Sequence, residues 1–226
     1  MSNTSKGPAT KGSKFWMQYV VKNLQQELNS KIGCDLTWIS PLEGNNKEYL
    51  EYELKQDYMC KILNISAEEK KEIFSFWPNR QPQWDGIAIT KDNNTLYLVE
   101  AKAHLSELKS KIGAKNPNSK DLILKTMKEV FENNYPKGSF PMWTDEYYQL
   151  ANRLTFLHKL NDKLKIKNIN VKLVLLNFVG DYTYRPTSEE KWNTHYKEVF
   201  VNMIGIEIPN KDVIVVNFPV GELIKI

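Results

Sequence analysis

The feature that most constrains this chain is a change of hydrophobic period between Trp84 and His104. Asp85, Ile87 and Ile89 alternate onto one face, and after Lys91-Asp92-Asn93-Asn94-Thr95 so do Leu96, Leu98, Glu100 and Lys102. Period two on either side of a polar, turn-forming stretch predicts a β-hairpin. With the tip near Asn93, residue 85 lies across from residue 101, which sets Asp85 beside Glu100 and Lys102. Glu100 and Lys102 project together from one strand and Asp85 comes from its neighbour, so two carboxylates and an ammonium converge within side-chain reach.

The flanking sequence is mostly helical in period. Trp16, Tyr19, Val20, Leu24 and Leu28 recur at helical spacing from Phe15 until Gly33 stops the pattern. Leu50, Leu54, Tyr58 and Ile62 step by four and predict a second helix over Lys47–Leu63, with Glu48, Glu51 and Glu53 riding on it. Ser66-Ala67-Glu68-Glu69 reads as a capping box that opens a short helix towards Phe76, closed by Pro78. After a lysine-bearing loop over 109–120, helices are expected over Asp121–Asn133, Glu146–Leu164 and Trp192–Ile204. Val171–Phe178 is a continuous apolar run, as in a strand buried on both faces, and Val213–Phe218 a last strand. The order predicts an α/β fold, one mixed sheet with helices on its faces.

Length and charge set the outer bounds. The 226 residues suit a single domain over 14–226 behind a basic leader, residues 1–13, whose Ser, Thr, Gly and Lys composition favours flexibility. A net charge of +4 is compatible with a polyanionic partner and equally with a solvated surface. Cys34 and Cys60 show no ligand spacing with His104, His158 or His195, which argues against structural zinc. No run of about 18 apolar residues occurs, so the expectation is a cytoplasmic protein with no membrane partner.

Carboxylates that close repel each other, and buried charges cost several kcal/mol each unless paired or metal-bound. A hard divalent cation relieves that: Mg²⁺ takes one or two carboxylates together with waters and phosphate oxygens, and lowers the pKa of bound water. Lys102 could then orient or deprotonate that water. The plain alternative is a cross-strand salt bridge at a sheet end.

Pro82-Gln83-Trp84-Asp85, a hairpin, and Tyr97-Leu98-Val99-Glu100-Ala101-Lys102 at a strand end resemble the PD-(D/E)XK nuclease superfamily, which includes many restriction endonucleases. The match spans about residues 47 to 178; the proline stands three residues before Asp85 rather than adjacent to it. The resemblance implies a restriction-endonuclease-like core. It further implies a Mg²⁺-dependent deoxyribonuclease, with Mn²⁺ able to substitute and a type II restriction endonuclease among the roles. It casts Asp85 and Glu100 as metal ligands, Lys102 as the water-positioning residue, and a glutamate of the preceding helix as a further ligand. Glu51 is the favoured one, on the flank of the Leu50/Leu54 stripe, with Glu48 next to it in preference.

Gln149 and Arg153, one turn apart, are candidates for contacting a phosphate, since arginine binds phosphate bidentately. Lys109, Lys111 and Lys115 open a lysine-rich stretch suited to a DNA backbone. His104 and Glu107 continue the strand and read as an exposed strand end in preference to metal or phosphate contacts. Trp16 and Tyr19 read as core in preference to a stacking platform. DNA is the expected partner, with a homodimer as a candidate assembly. The alternative function is a non-catalytic nucleic-acid-binding or assembly module on the same scaffold.

Overall fold

The computed structural model describes residues 5–44, 48–207 and 209–223. In chain order its elements are β1 (Ser5–Lys6), α1 (Gly12–Asn23), α2 (Gln25–Ile32), β2 (Leu36–Ser40), β3 (Leu42–Glu43), β4 (Tyr49–Leu50), α3 (Asp57–Ile62) and α4 (Ala67–Ile73). They continue as β5 (Gly86–Thr90), β6 (Thr95–Lys102), α5 (Pro117–Asn134), α6 (Phe140–Asp145), α7 (Tyr148–Leu164), β7 (Asn170–Val179), α8 (Glu189–Ile204) and β8 (Val213–Pro219).

The central sheet has five strands in the order β2-β5-β6-β7-β8. Pairing is antiparallel from β2 through β5 to β6 and parallel from β6 through β7 to β8. The alternation along each strand sorts its side chains into two cores. Ile87, Ile89, Leu96, Leu98, Leu173 and Leu175 pack with the buried residues of α3 to α8. Ala88, Tyr97, Val99, Ala101, Val174, Leu176 and Phe178 pack with Trp16, Met17 and Val20 of α1 and Leu28 and Ile32 of α2. Covering both faces is what lets β7 run as an unbroken apolar strand. Gly86 lets α1 sit close to the sheet beside the candidate site, because a Cβ there would lie 2.4 Å from the Met17 Cε.

Local signals set several helix ends. Ser66 caps α4 as a capping box: its Oγ accepts from the Glu69 amide at 3.2 Å and its own amide donates to Glu69 at 2.8 Å. Asn116 accepts from the Ser119 amide, and Pro117 occupies the first turn of α5, which therefore begins four residues earlier than expected. The helices expected around Glu146–Leu164 and Trp192–Ile204 and the strands expected over Val171–Phe178 and Val213–Phe218 are α7, α8, β7 and β8.

Three expectations need correction. The single first helix is two, because the backbone leaves the helical region at Leu24 (φ −134°, ψ 33°) before resuming as α2. Of the helix expected over Lys47–Leu63 only the last part forms, as α3. Tyr49 and Leu50 form β4, which pairs antiparallel with β1 on one side and β3 on the other, and helix begins only at Asp57. The step-of-four stripe misled because Tyr58, its third member, is 50% exposed and stacks on Tyr52 at 4.6 Å instead of entering the core. Lys47, and residues 1–4 of the expected leader, lie outside the described residues. Within that leader, β1 joins the small sheet and the Ala9 amide donates to the Gln18 side chain at 2.8 Å.

The hairpin register is the third. Gly86 pairs with Val99 and Ile87 with Leu98, so continuing the ladder by one residue puts Asp85 opposite Glu100, not residue 101. The turn is one residue tighter than assumed, with Asn93 at positive φ (58°). Among the described residues no helix is long and apolar enough to cross a membrane.

Candidate active site

The observed hairpin register places the two carboxylates face to face. Asp85, just before β5, donates its amide to the Val99 carbonyl (3.1 Å), while its Oδ2 accepts from the Ala101 amide at 2.8 Å. The aspartate is therefore locked to β6 by its own backbone and side chain. Two residues along β6 from Leu98, on the same face, Glu100 emerges where the apolar core ends, followed by Lys102.

Glu100 is 3% exposed and Lys102 7%, and a third charge, Arg153 of α7, is 4% exposed. Such burial requires tight pairing. Lys102 Nζ donates to Glu100 Oε1 and, at 3.0 Å, to Gln149 Oε1. Arg153 Nε donates to Glu100 Oε2 at 2.6 Å, its other nitrogens to the Gln83 carbonyl (2.8 Å) and Asn152 Oδ1 (3.3 Å). The guanidinium lies 4.5 Å from the centre of the Trp84 ring, a cation–π contact that adds to its pairing. Gln149 and Arg153 reach the cluster together because they stand one turn apart on α7.

The electrostatics of the two carboxyls diverge. For Asp85, desolvation is the largest influence and the Glu100 charge adds to it; Lys102, the Ala101 amide and Arg153 oppose them, and the pKa is pushed up to about 7. For Glu100 desolvation is again the largest single influence, yet Arg153 and Lys102 together outweigh it and hold the carboxylate below its ordinary range. Burial pulls Lys102 down, but Glu100 and Asp85 more than compensate and its pKa is raised. One carboxyl is thus committed to the ionised state and its neighbour is poised near neutrality, with a protonated lysine beside both.

The cluster opens into a wide cleft of about 1990 Å³ whose lining includes Asp85, Gln149, Asn152 and Arg153. Its outer walls carry Lys55, Lys70, Lys71, Arg80 and Lys115 against Glu53. Of the three lysines singled out in the sequence, Lys115 lines this cleft. Lys109, which lies 3.7 Å from Glu146, and Lys111 do not line this cleft. Lys70, Lys71 and Arg80 had no distinctive signal, since isolated basic residues at a helix end and a loop read as ordinary surface. Asn152 and Trp84 were equally silent, because their roles depend on which helix faces the strand end.

Glu51 comes from the segment after β4, not from a helix. It shares a small cavity of about 240 Å³ with Lys14, Gln18, Gln83, Trp84 and Asp85, and Lys14 Nζ lies 3.2 Å from its Oε1. Glu53 lines the large cleft instead. His104 caps the 3₁₀ turn Leu105–Leu108, with its Nδ1 accepting from the Ser106 amide at 3.1 Å. Glu107 is engaged by Ser13 Oγ (2.9 Å) and the Ala103 amide (3.2 Å). Both stay out of the Asp85/Glu100 pair's hydrogen bonds.

Among the described residues no group of three or more His, Cys, Asp or Glu side chains is placed to hold a metal ion. The donor set for a cation is thus the Asp85/Glu100 pair. Two carboxylates suit Mg²⁺, which completes its shell with water and phosphate oxygens, provided Glu100 releases one oxygen from Lys102 or Arg153. The difficulty of ionising Asp85 beside Glu100 is the kind of strain that such a cation relieves. Comparison of this chain with protein-family models, with curated proteins and with solved structures finds no match.

Proposed function

We propose that the chain is a Mg²⁺-dependent nuclease that hydrolyses phosphodiester bonds in DNA, on a restriction-endonuclease-like core. The observation that carries this reading is the juxtaposition at one strand end. Asp85 and Glu100 oppose each other across the hairpin, Lys102 lies beside them, and Asp85, with Gln149 and Arg153, lines a cleft rimmed by cations.

Asp85 and Glu100 would hold the cation, which when bound supplies positive charge at the scissile phosphate and a lowered pKa for water. The remaining work falls to this chain's own side chains. Lys102, with its pKa raised, is protonated near neutral pH, so it serves as a hydrogen-bond donor and a positive charge, not as the base. There it orients the attacking water, whose proton passes to bulk solvent. It also stabilises the charge that develops on the phosphoryl oxygens as the bond to the 3′-oxygen breaks and that oxygen takes a proton from solvent. Arg153 holds Glu100 ionised and in place, and Gln149 fixes the Lys102 ammonium. Lys115, Arg80 and their neighbours in the cleft would follow the phosphate backbone.

The second reading, a non-catalytic nucleic-acid-binding module, draws support from the full pairing of Glu100 by two cations, which makes the cluster self-sufficient. A gel assay separates the two. Plasmid and short duplexes incubated with the protein should be cut with Mg²⁺ or Mn²⁺ and left intact with EDTA. DNA that is retarded but uncut across varied sequences and both metals would favour the binding module.

A further inference from the structure

A second cluster of polar and aromatic side chains stands outside the Asp85/Glu100 site, on the loop that follows β7. Tyr182 is 70% exposed and Tyr184 50% exposed, the two most exposed tyrosines of that loop. Exposed aromatic rings on loops are common, but this loop is fastened. Asp181, 0% exposed, accepts at Oδ1 from the Thr183 amide (2.8 Å) and the Thr183 hydroxyl (2.5 Å). The Thr183 hydroxyl also accepts from the Gly12 amide at 3.2 Å, and the Gly180 amide donates to the Thr187 carbonyl at 3.0 Å. The edge of the Tyr182 ring rests on Gly221, where a Cβ would come within 3.1 Å of its Cε2. The rings are held outward by a built scaffold.

The charges that touch the Tyr184 ring are cations, while the loop's own acid, Asp181, is buried. Lys11 Nζ lies 5.4 Å and Arg185 Cζ 5.2 Å from the centre of the Tyr184 ring, and the His104 ring meets it edge-on at 6.5 Å. The nearby Glu107 carboxylate is turned away to Ser13 and the Ala103 amide. Tyr184 thus collects two cations, while the Tyr182 ring, with most of its surface in solvent, remains open. The position is informative as well. His104 follows Lys102 by two residues, roughly 7 Å of extended chain, so this cluster lies at the same carboxyl-end edge of the sheet as the candidate active site.

We propose that this loop is a binding site for an unpaired nucleotide of a polynucleotide strand, with a base stacked on Tyr182 and the adjoining phosphates on Lys11 and Arg185. An open aromatic ring beside exposed cations matches the chemistry of single strands, whose bases stack irrespective of sequence and whose phosphates are neutralised by Lys and Arg. A paired base has no free face to offer, so a blunt duplex engages the cations alone. The site deepens the nuclease reading by giving it a substrate with a single-stranded segment, and rests on that reading only for the choice of a polynucleotide.

The test is equilibrium binding in EDTA, followed by fluorescence anisotropy, with labelled oligo(dT), oligo(rU), an abasic strand and a blunt duplex of equal length. Tyr182→Ala should weaken oligo(dT) and oligo(rU) about 5- to 150-fold and leave the abasic strand and the duplex unchanged. Tyr182→Phe keeps the ring and should bind like the wild type. Arg185→Ala should weaken every strand and lower the salt dependence. Because the assay contains no metal, absence of cleavage elsewhere would sink the nuclease reading without touching this one. Equal affinity of Tyr182→Ala and wild type for the single strands would overturn the inference, as would an equal loss on the abasic strand or failure of the wild type to bind any single strand.

Discussion

The cleft carries two kinds of charge, and they differ in what holds them. At its inner wall, lined by Asp85 and Arg153, the side chains of Arg153 and of Glu100 and Lys102 behind it are at most 8% exposed, and each is fixed by a named counter-charge. On its rim Arg80 and Lys115 are exposed, and Lys70 pairs with an almost fully solvated Asp57 at 2.8 Å. The inner charges are set against one another in a low-dielectric site, where removing one leaves its partner uncompensated. The rim charges sit in water and salt, where a pair contributes little to folding and the field matters more than the individual pairing. Chemistry requiring fixed geometry therefore belongs to the wall, and capture of a long polyanion to the rim.

The contrast breaks if the wall turns out to be expendable. Arg153→Met takes away one of the two cations holding Glu100, together with the bonds to Gln83 and Asn152, and should destabilise the protein by about 3–5 kcal/mol. Urea denaturation measures it. A loss under about 1 kcal/mol would show that Lys102 alone suffices for Glu100 and that the charges of the wall depend little on one another.

A subtler effect follows from Asp85. Its folded-state pKa of about 7 stands above the ordinary aspartate value, so the fold favours the protonated form. The resulting stability is complete below about pH 4 and is lost as pH rises through about 7. Asp85→Asn has no proton to lose, so in EDTA its melting temperature should exceed that of the wild type near pH 8 and lose that advantage near pH 5. Glu100, depressed instead of raised, loses its contribution as pH falls, but wild type and variant share that slope. An Asn variant with the same pH profile as the wild type would contradict the assignment of a costly charge to Asp85.

The smallest effect on folding belongs to the rim. Arg80→Ala and Lys115→Ala should each change stability by less than about 0.5 kcal/mol. Each should lower the slope of log affinity for duplex DNA against log salt by about 0.9 for every phosphate that the missing cation would have neutralised. Filter binding across a salt series reads this. Unchanged slopes in both variants would remove the cleft from the DNA path.

The hairpin and the surrounding rim were unequally legible for the same reason. Asp85, Glu100 and Lys102 could be singled out from the sequence because strand period and a short turn are local. The assumed pairing of residue 85 with 101, however, would set Asp85 on the Ala101 face, and it is the observed register, one residue tighter, that brings both carboxylates onto one face. Gln149 and Arg153 were legible as a pair on a helix, though not that they would grip Lys102 and Glu100. The segment holding Glu51 was misread, because β4 exists only by pairing with β1 and β3, and no local period announces such a pairing. Strand β2, with Leu36 and Trp38 facing the α1 core, was missed because five residues of alternation resemble many loops. The cations of α4 and of the loop after it become a rim only once α5 and α7 close the cleft.

The central claim is that Lys102 does chemistry at the Asp85/Glu100 pair and is more than its salt-bridge partner. Single-turnover cleavage of DNA by Lys102→Ala at saturating Mn²⁺, with folding checked by circular dichroism and Mn²⁺ affinity by calorimetry, tests it most directly. Arg153 still pairs Glu100 in that variant, so the fold should persist, and removal of a like charge should leave metal affinity equal or higher. Cleavage should fall by about 10²-fold or more, the loss expected when one positioned charge-stabilising group is removed. Wild-type cleavage by a folded Lys102→Ala would reduce the Glu100/Lys102 contact to an ordinary buried ion pair and contradict the account.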